Sequence, residues 1–168
     1  KTATYKLALL RALADIAASG YNAARWYADG SVGIPLDMIA EKWLWYYWPV
    51  FENDMFIPQI NGESPGCPKP VRFRKSVEVL ISLYRRSGGM ARCYNDVRSR
   101  GTHDAPEIAG ALKSIGDTII RGPVRYAGGS LDDGTLFEYD GANRAVVVPG
   151  GIWKELSLMW HWIRDALV

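Results

Sequence analysis

Apolar residues recur along most of this chain at the three- and four-residue spacing typical of helices with one buried face. The first such segment ends before Gly20, a common stop signal. Pro35 is expected near the start of the second helix and Pro49 at its end, because proline cannot donate a backbone hydrogen bond. The pattern predicts helices over residues 2–19, 35–48, 76–86, 90–98 and 106–121, and a last helix after Gly151. The apolar residues expected to form the buried face of the last helix are Ile152, Leu156, Met159, Trp160 and Ile163.

Two regions are strand-like instead. Residues 25–34 contain Asp29-Gly30, which predicts a hairpin with a tight turn of the primed type. Residues 124–148 hold two apolar stretches separated by Asp140-Gly141, a second turn signal. The predicted fold class is α+β, a mostly helical single domain with two small β-hairpins that covers residues 1–168.

Composition excludes several classes of protein. In the 168 residues, 48% are apolar and 23% are charged, which excludes a disordered chain, and no run of eighteen uncharged apolar residues predicts a membrane span. Two cysteines, Cys67 and Cys93, are too few for a disulfide framework or a four-cysteine zinc site, so we expect a cytoplasmic protein. Because the chain lacks an initial methionine and finishes within a predicted helix, we expect it to be a domain of a longer protein.

Charge is distributed unevenly along the chain. Residues 69–125 carry twelve Lys and Arg against five Asp and Glu, whereas the segments before and after have net charges of −2 and −3. Such a basic segment between acidic flanks favours a polyanionic partner. The alternative is a solvated surface that is rich in arginine.

The basic segment supplies most of the predicted phosphate contacts. Arginine suits this role because its planar guanidinium donates two parallel hydrogen bonds to phosphate oxygens. Glycines beside it permit backbone N–H groups to approach a phosphate closely, although Ser87-Gly88-Gly89 taken alone is more typical of a helix stop. His103 with Asp104 is interpreted equally as a phosphate contact or as a cap of the next helix. The predicted contacts are Arg72, Arg74, Lys75, Arg85, Arg86, Ser87, Gly88, Gly89, Arg98, Arg100 and His103.

Signatures of catalysis are scarce. The sequence has no phosphate-binding P-loop and no Gly-x-Ser-x-Gly nucleophile elbow, and its two histidines, His103 and His161, are far apart. Asp132-Asp133 lies between glycines and is interpreted as a solvated turn, not a metal site. We therefore expect no enzyme activity, no metal and no cofactor in this chain.

A proline-rich segment precedes the basic residues. Residues 56–70 contain four of the nine prolines, and an irregular loop of this length in a compact domain is usually functional or disordered. Its apolar, rigid surface next to the arginines makes a nucleic-acid site the leading interpretation.

Four short segments carry a family resemblance: Tyr5–Leu13, Tyr46–Pro49, Phe56–Gln59 and Trp153–Leu156. They resemble the N-terminal region of bacterial proteins that contain an HNH endonuclease. Within that family the region is similar to the sulfur-binding domains of type IV restriction enzymes, which recognise phosphorothioate-modified DNA. The resemblance implies a targeting module for double-stranded DNA, with an HNH nuclease domain in cis after Val168 and absent from this chain.

The resemblance also implies particular contacts. A basic residue near the start of the first helix corresponds to Lys6, which follows Tyr5. The family's Tyr-Pro step corresponds either to Ile57-Pro58, with isoleucine in place of tyrosine, or to Tyr47-Trp48-Pro49 with its proline shifted by one position. Gln59 is expected to read a base edge or to hold the loop. The sulfur pocket implied in this way comprises Tyr5, Ile57, Pro58, Tyr47 and Pro49.

Two other interpretations remain open at this point. One is a DNA-docking domain of an HNH nuclease without selectivity for sulfur, whose affinity would depend on salt but not on modification. The other is a protein-interaction domain that uses the aromatic stretch Trp43–Trp48, part of which must be core.

Overall fold

The computed structural model of the chain describes residues 3–19, 24–100, 105–127 and 136–166. It confirms a mostly helical α+β fold. The helices are α1 (Ala3–Ala18), α2 (Leu36–Glu52), α3 (Arg74–Tyr84), α4 (Gly89–Arg100), α5 (Pro106–Ile119), which continues into a π-helical turn at Ile120–Val124, and α6 (Gly150–Ala166). The strands are β1 (Arg25–Trp26), β2 (Val32–Pro35), β3 (Glu138–Asp140) and β4 (Ala145–Val148). None of the described helices has the length and apolar character needed to cross a bilayer.

The fold contains two compact units. The inserted unit consists of residues 40–118, and the sheet unit consists of residues 3–39 together with the chain that follows residue 118. The sheet unit is therefore built from two stretches that are distant in sequence.

Both predicted hairpins form, and they join into one antiparallel sheet with the strand order β1-β2-β4-β3. The joining pair is β2 with β4, in which Gly33 lies opposite Val147 and Ile34 opposite Val146. The prediction of a primed turn in the first hairpin is wrong. Such a turn needs a positive φ at its first central residue, whereas only Gly30 has one here, and Tyr27 closes a three-residue loop by pairing with Ser31.

The helices α1 and α6 pack against each other in the sheet unit. Leu9, Leu13 and Ile16 of α1 recur at helical spacing and are buried. The stripe predicted for α6 is only partly right, because Leu156 is buried but Met159 is exposed, and Trp153, which was not predicted, is buried. The side chain of Ile163 lies outside the described part of the helix. Burial of the large Trp153 ring removes more apolar area from water than burial of Met159 would, which favours this rotation of the helix.

An aromatic cluster forms the core of the inserted unit. The rings of Trp43, Tyr47 and Phe51 on α2 pack around Phe73, with Tyr47 and Phe73 edge to face at 5.0 Å between centroids. Pro49 does not end α2, which continues to Glu52, since one missing hydrogen bond near the last turn is offset by this packing. Trp43 and Trp48 are fully buried, whereas Trp45 is half-buried, so most of the tryptophan surface of this stretch belongs to the core. The use of the stretch Trp43–Trp48 by a protein partner stays a prediction.

A close backbone approach at Gly150 gives a first testable prediction. A Cβ atom at this position would lie deep inside the van der Waals radius of the Gly30 carbonyl oxygen, and neither group is a side chain that can move aside. We expect Gly150→Ala to lower the free energy of unfolding by about 1–3 kcal/mol, as overpacking does. Denaturant unfolding measures it, with Gly151→Ala as the matched control.

The control position differs only in its surroundings. Gly151 is the next residue of the same helix and has open space where a Cβ would be, so alanine there is expected to be neutral or to stabilise by about 0.5–1 kcal/mol. Equal effects of the two substitutions would contradict the prediction.

Candidate nucleic-acid interface

Five cationic side chains in α3 and in the segments that flank it in sequence are exposed and form no ion pair with a carboxylate of the described residues: Lys69, Arg72, Lys75, Arg85 and Arg86. The eleven residues of α3 span roughly 16 Å, which separates the two groups. Two other basic residues of the inserted unit have acidic partners within it, since Arg92 pairs with Asp96 at 3.3 Å and Lys113 with Asp117 at 3.5 Å. The five side chains therefore remain available to a polyanion.

Arg74 differs from its basic neighbours because it is buried, with an exposed fraction of 5%. Its Nε donates to Glu63 at 2.7 Å, and its Nη2 donates to Glu63 at 3.0 Å and to the Ile57 carbonyl at 2.8 Å. The guanidinium also lies over the rings of Phe51 and Phe56, at 4.1 and 4.4 Å from their centroids. The predicted role of Arg74 as a phosphate contact is therefore wrong, since its donors already have partners inside the protein.

Glu63 is the acidic partner that the sequence analysis did not single out. Both of its carboxylate oxygens are used, because Gln59 N donates to one at 2.7 Å and Val71 N to the other at 2.9 Å, in addition to Arg74. Burial raises the pKa of this carboxyl, but the hydrogen bonds from Arg74, Gln59 and Val71 outweigh burial and lower the pKa to about 2. One signal was available in the sequence, since Glu63 is the only carboxylate between Asp54 and Glu78.

The low pKa of Glu63 predicts how the stability of the protein depends on pH. A carboxyl whose pKa is lower in the folded state contributes stability that is fully present above its unfolded value of 4.5 and is lost as the pH falls toward 2. At 1.36 kcal/mol for each pKa unit, we expect a loss of about 3 kcal/mol from this group over that range. Urea unfolding between pH 6 and pH 2.5 measures it.

The variant Glu63→Gln is the reference for this measurement, because it keeps the other carboxyls and removes only this titration. The difference in unfolding free energy between wild type and variant should shrink as the pH falls below 4.5. A difference that stays constant over this range would show that Glu63 does not carry the effect.

The proline-rich loop presents apolar side chains to solvent. Met55 and Ile57 are exposed by 74% and 36%, and Pro58 is exposed as well. The Gln59 side-chain amide donates to the carbonyls of Ile57 and Pro58, both at 3.3 Å, so it holds the loop, which was one of its two predicted roles. Through the bond from Arg74 to Ile57, this loop is attached to the end of α3 that carries Arg72 and Lys75.

The glycine pair after α3 ends that helix and begins the next. Gly88 and Gly89 have φ values of +112° and +58°, which residues with a side chain rarely adopt, and α4 begins at Gly89. Ser87 donates to the Tyr84 carbonyl through both its N–H and its hydroxyl. The helix-stop interpretation is confirmed, and contact of these three residues with a phosphate stays a prediction.

The remaining predicted residues lie on other elements of the fold. Tyr5, which is buried, and Lys6, which is half-buried, belong to α1 of the sheet unit. Tyr47 is only 4% exposed inside the aromatic cluster, whereas Pro49 is exposed. The Tyr47 ring therefore presents little surface to a ligand, and Tyr47-Trp48-Pro49 as the sulfur-binding step stays a prediction. The Arg98 guanidinium lies against the ring of Tyr94 and donates to its hydroxyl at 2.9 Å, still at the surface.

Three other predicted positions lie outside the described part: the Arg100 side chain, His103 and Asp132-Asp133. Within the described part, no three His, Cys, Asp or Glu side chains lie together as a metal site would require. Cys93 is fully buried, and burial together with nearby Asp96 raises the pKa of its thiol to about 12. This agrees with the interpretation of Cys93 as an ordinary core thiol, because the thiolate is the reactive form.

Comparison with known proteins gives a single match. No curated protein and no solved structure matches the chain. One family model, described as a domain of unknown function (DUF8808), matches residues 1–168. The chain therefore belongs to the DUF8808 family over its whole length.

Proposed function

We propose that this chain is a DNA-binding module that recognises phosphorothioate-modified double-stranded DNA and serves as the targeting module of a modification-dependent restriction endonuclease. One observation carries the proposal: the exposed apolar step Ile57-Pro58 is attached through Arg74 to the end of α3 that bears Arg72 and Lys75. This bond supports a site in which apolar surface for a sulfur atom lies near cations for phosphate oxygens.

The cations account for the general affinity for DNA. Each Lys or Arg that neutralises a phosphate releases condensed counterions, which gives binding that is independent of sequence and falls steeply with added salt. Arg72 and Lys75 lie at the loop end of α3, and Arg85 and Arg86 lie about 16 Å away at the other end. Two separated groups of cations suit a long polyanion better than a small one.

The loop accounts for selectivity. Replacing one non-bridging phosphate oxygen with sulfur keeps the charge but makes that atom larger, softer and less hydrated, so contact with apolar surface favours sulfur and disfavours oxygen. Burying such a small apolar group contributes about 1–3 kcal/mol. This corresponds to roughly tenfold to hundredfold discrimination. Ile57 and Pro58 supply C–H surface of this kind.

The resemblance to the sulfur-binding domains of type IV restriction enzymes also supports a proposal for the whole protein. In this proposal an HNH nuclease domain follows residue 168 in the same polypeptide, and residues 1–168 bind DNA without cleaving it. The DNA that the module binds is intracellular, so we propose that it acts in the cytoplasm.

The test is a paired titration of one short duplex, with and without a single phosphorothioate, at moderate and at high salt. We expect the preference for the sulfur-bearing duplex to persist at high salt, because counterion release affects both duplexes alike. Equal binding that collapses with salt would leave a DNA-docking domain without sulfur selectivity. Absence of binding to either duplex would overturn the proposal.

A variant at the loop predicts where the selectivity arises. Ile57→Asn is expected to reduce the preference for sulfur to less than threefold while the affinity for the unmodified duplex changes little, because the apolar contact is lost and no charge changes. Met55→Asn is the matched control, since Met55 is a more exposed apolar residue of the same segment. If both variants keep the preference, the sulfur-reading surface lies elsewhere.

A further inference from the structure

The buried side chain of Arg74 connects the loop between Ile57 and Glu63 to α3. Arg74 holds both ends of this segment, because its Nη2 donates to the Ile57 carbonyl as well as to the carboxylate of Glu63. Glu63 in turn accepts from the backbone N–H groups of Gln59 and Val71. The loop backbone is thus tied to α3 through a single ion pair.

Stability alone does not account for the ion pair between Arg74 and Glu63. A buried ion pair contributes little net stability, since its attraction is offset by the loss of hydration, and apolar residues of similar volume often serve as well. The ion pair instead fixes the orientation of hydrogen bonds, because a planar guanidinium donates only in defined directions. The Arg74 Cζ atom lies 4.1 and 4.4 Å from the ring centroids of Phe51 and Phe56, which hold the guanidinium plane in place. These directions fix where the Ile57 carbonyl points.

The orientation of Ile57 matters for the reading of sulfur. Dispersion contact falls off within about 1 Å of separation, so an apolar surface selects sulfur only when it is held at the correct distance from the phosphate. Ile57 and Pro58 are exposed, and the segment has no regular secondary structure of its own to hold them. The bond from Arg74 to the Ile57 carbonyl provides this constraint.

We propose that Arg74 and Glu63 are positioning residues for phosphorothioate selectivity: together they hold Ile57-Pro58 in the sulfur-reading orientation without touching DNA. The inference rests on the proposed function of the loop. It reverses the role that the sequence suggested for Arg74, from a phosphate contact to a determinant of the loop's shape.

The first variant is Arg74→Lys, with Arg92→Lys as its matched control, since Arg92 is exposed and pairs with Asp96 inside α4. Both substitutions keep the net charge, but a lysine at position 74 lacks the planar fork and the stacking between two rings. We expect Arg74→Lys to lower the preference for the phosphorothioate duplex to less than threefold, with affinity for the unmodified duplex within twofold of wild type and an unchanged salt dependence. Arg92→Lys is expected to keep the preference.

The second variant is Glu63→Gln, which separates positioning from charge. It makes the protein more positive by one unit, so an effect of charge alone would tighten binding to both duplexes without altering their ratio. Loss of the positioning bonds predicts a lower ratio instead. This variant keeps the test decisive if Arg74→Lys does not fold.

Hydrogen exchange gives a readout that does not depend on DNA. In both variants the amides of Gln59 and Val71, which donate to Glu63, should exchange faster than in wild type, while the amides of Leu80 and Ile81 within α3 should stay protected. Unchanged protection of Gln59 and Val71 would overturn the role of the ion pair in the loop, whatever the protein binds.

The two measurements distinguish the possible failures. Faster exchange with a retained preference for sulfur would overturn the positioning role while leaving the proposed function intact. A wild-type protein that binds both duplexes equally would overturn the selectivity itself, and with it any role of Arg74 and Glu63 in that selectivity.

Discussion

Replacing Arg74 with alanine is expected to lower the free energy of unfolding by about 3–5 kcal/mol, because it leaves the carboxylate of Glu63 buried without a cation. The side chain of Glu63 has no exposed surface, and that of Arg74 has 6%. Glu63 would keep its bonds from Gln59 N and Val71 N, but two bonds from the guanidinium would be lost. Denaturant unfolding at pH 7 measures the change.

The matched control is Arg72→Ala, two residues away. Arg72 is exposed, and its side chain forms no ion pair with a described carboxylate, so its loss should change the stability by no more than about 0.5 kcal/mol. The double variant Glu63→Leu/Arg74→Met should recover part of the loss, since it removes both buried charges together. Recovery should be incomplete because the backbone N–H groups of Gln59 and Val71 would then lack their acceptor. Equal effects of Arg74→Ala and Arg72→Ala would contradict the structural role of Arg74.

Charge reversal at the loop end of α3 is the second large effect that we expect. The variant Arg72→Glu/Lys75→Glu should weaken binding to both duplexes by at least about hundredfold at moderate salt, because two phosphate contacts become repulsive. The preference for sulfur in whatever binding remains should persist, since the loop is unchanged. Titration at several salt concentrations measures both quantities, and the salt slope should fall by about 2.

A control of equal net charge tests the location of the effect. Lys113→Glu/Lys154→Glu changes the charge of the protein by the same amount at two exposed lysines. Neither belongs to the α3 cluster, by which we mean the five exposed cations Lys69, Arg72, Lys75, Arg85 and Arg86, and Lys113 is already paired with Asp117. Its affinity should fall far less than that of Arg72→Glu/Lys75→Glu. If the two variants lose the same affinity, the effect arises from net charge and the α3 cluster is not the DNA-binding surface.

Local periodicity was sufficient to predict most of the helices and both hairpins. Val77, Leu80 and Ile81 recur at helical spacing and form the buried face of α3, because such spacing places apolar side chains on one side of any packed helix. The sequence-based predictions failed where residues distant in sequence determine where a helix ends or which of its faces is buried. Pro49 stays within α2 because its neighbours Trp48 and Phe51 are buried, and the buried face of α6 is set by its packing on α1.

In the candidate site too, the sequence predicts what depends on local pattern and not what depends on tertiary contacts. Exposed cations follow from a basic segment, and Arg72, Lys75, Arg85 and Arg86 are exposed as expected. Arg74 belongs to the same run of charges, yet Glu63, eleven positions before it, draws its guanidinium into the interior. A pattern of charges along the sequence does not reveal which arginine will meet a carboxylate and two aromatic rings after folding.

The pairing of β2 with β4 has a consequence for how the protein folds. Pro35 lies opposite Ala145, and closing a loop of about 110 residues costs on the order of 4 kcal/mol of chain entropy for its length-dependent part. The two hairpins close much shorter loops, so the entropy cost of forming each of them is much smaller. The two halves of the sheet should therefore form early and join late, so the meeting of β2 and β4 is expected to limit the refolding rate.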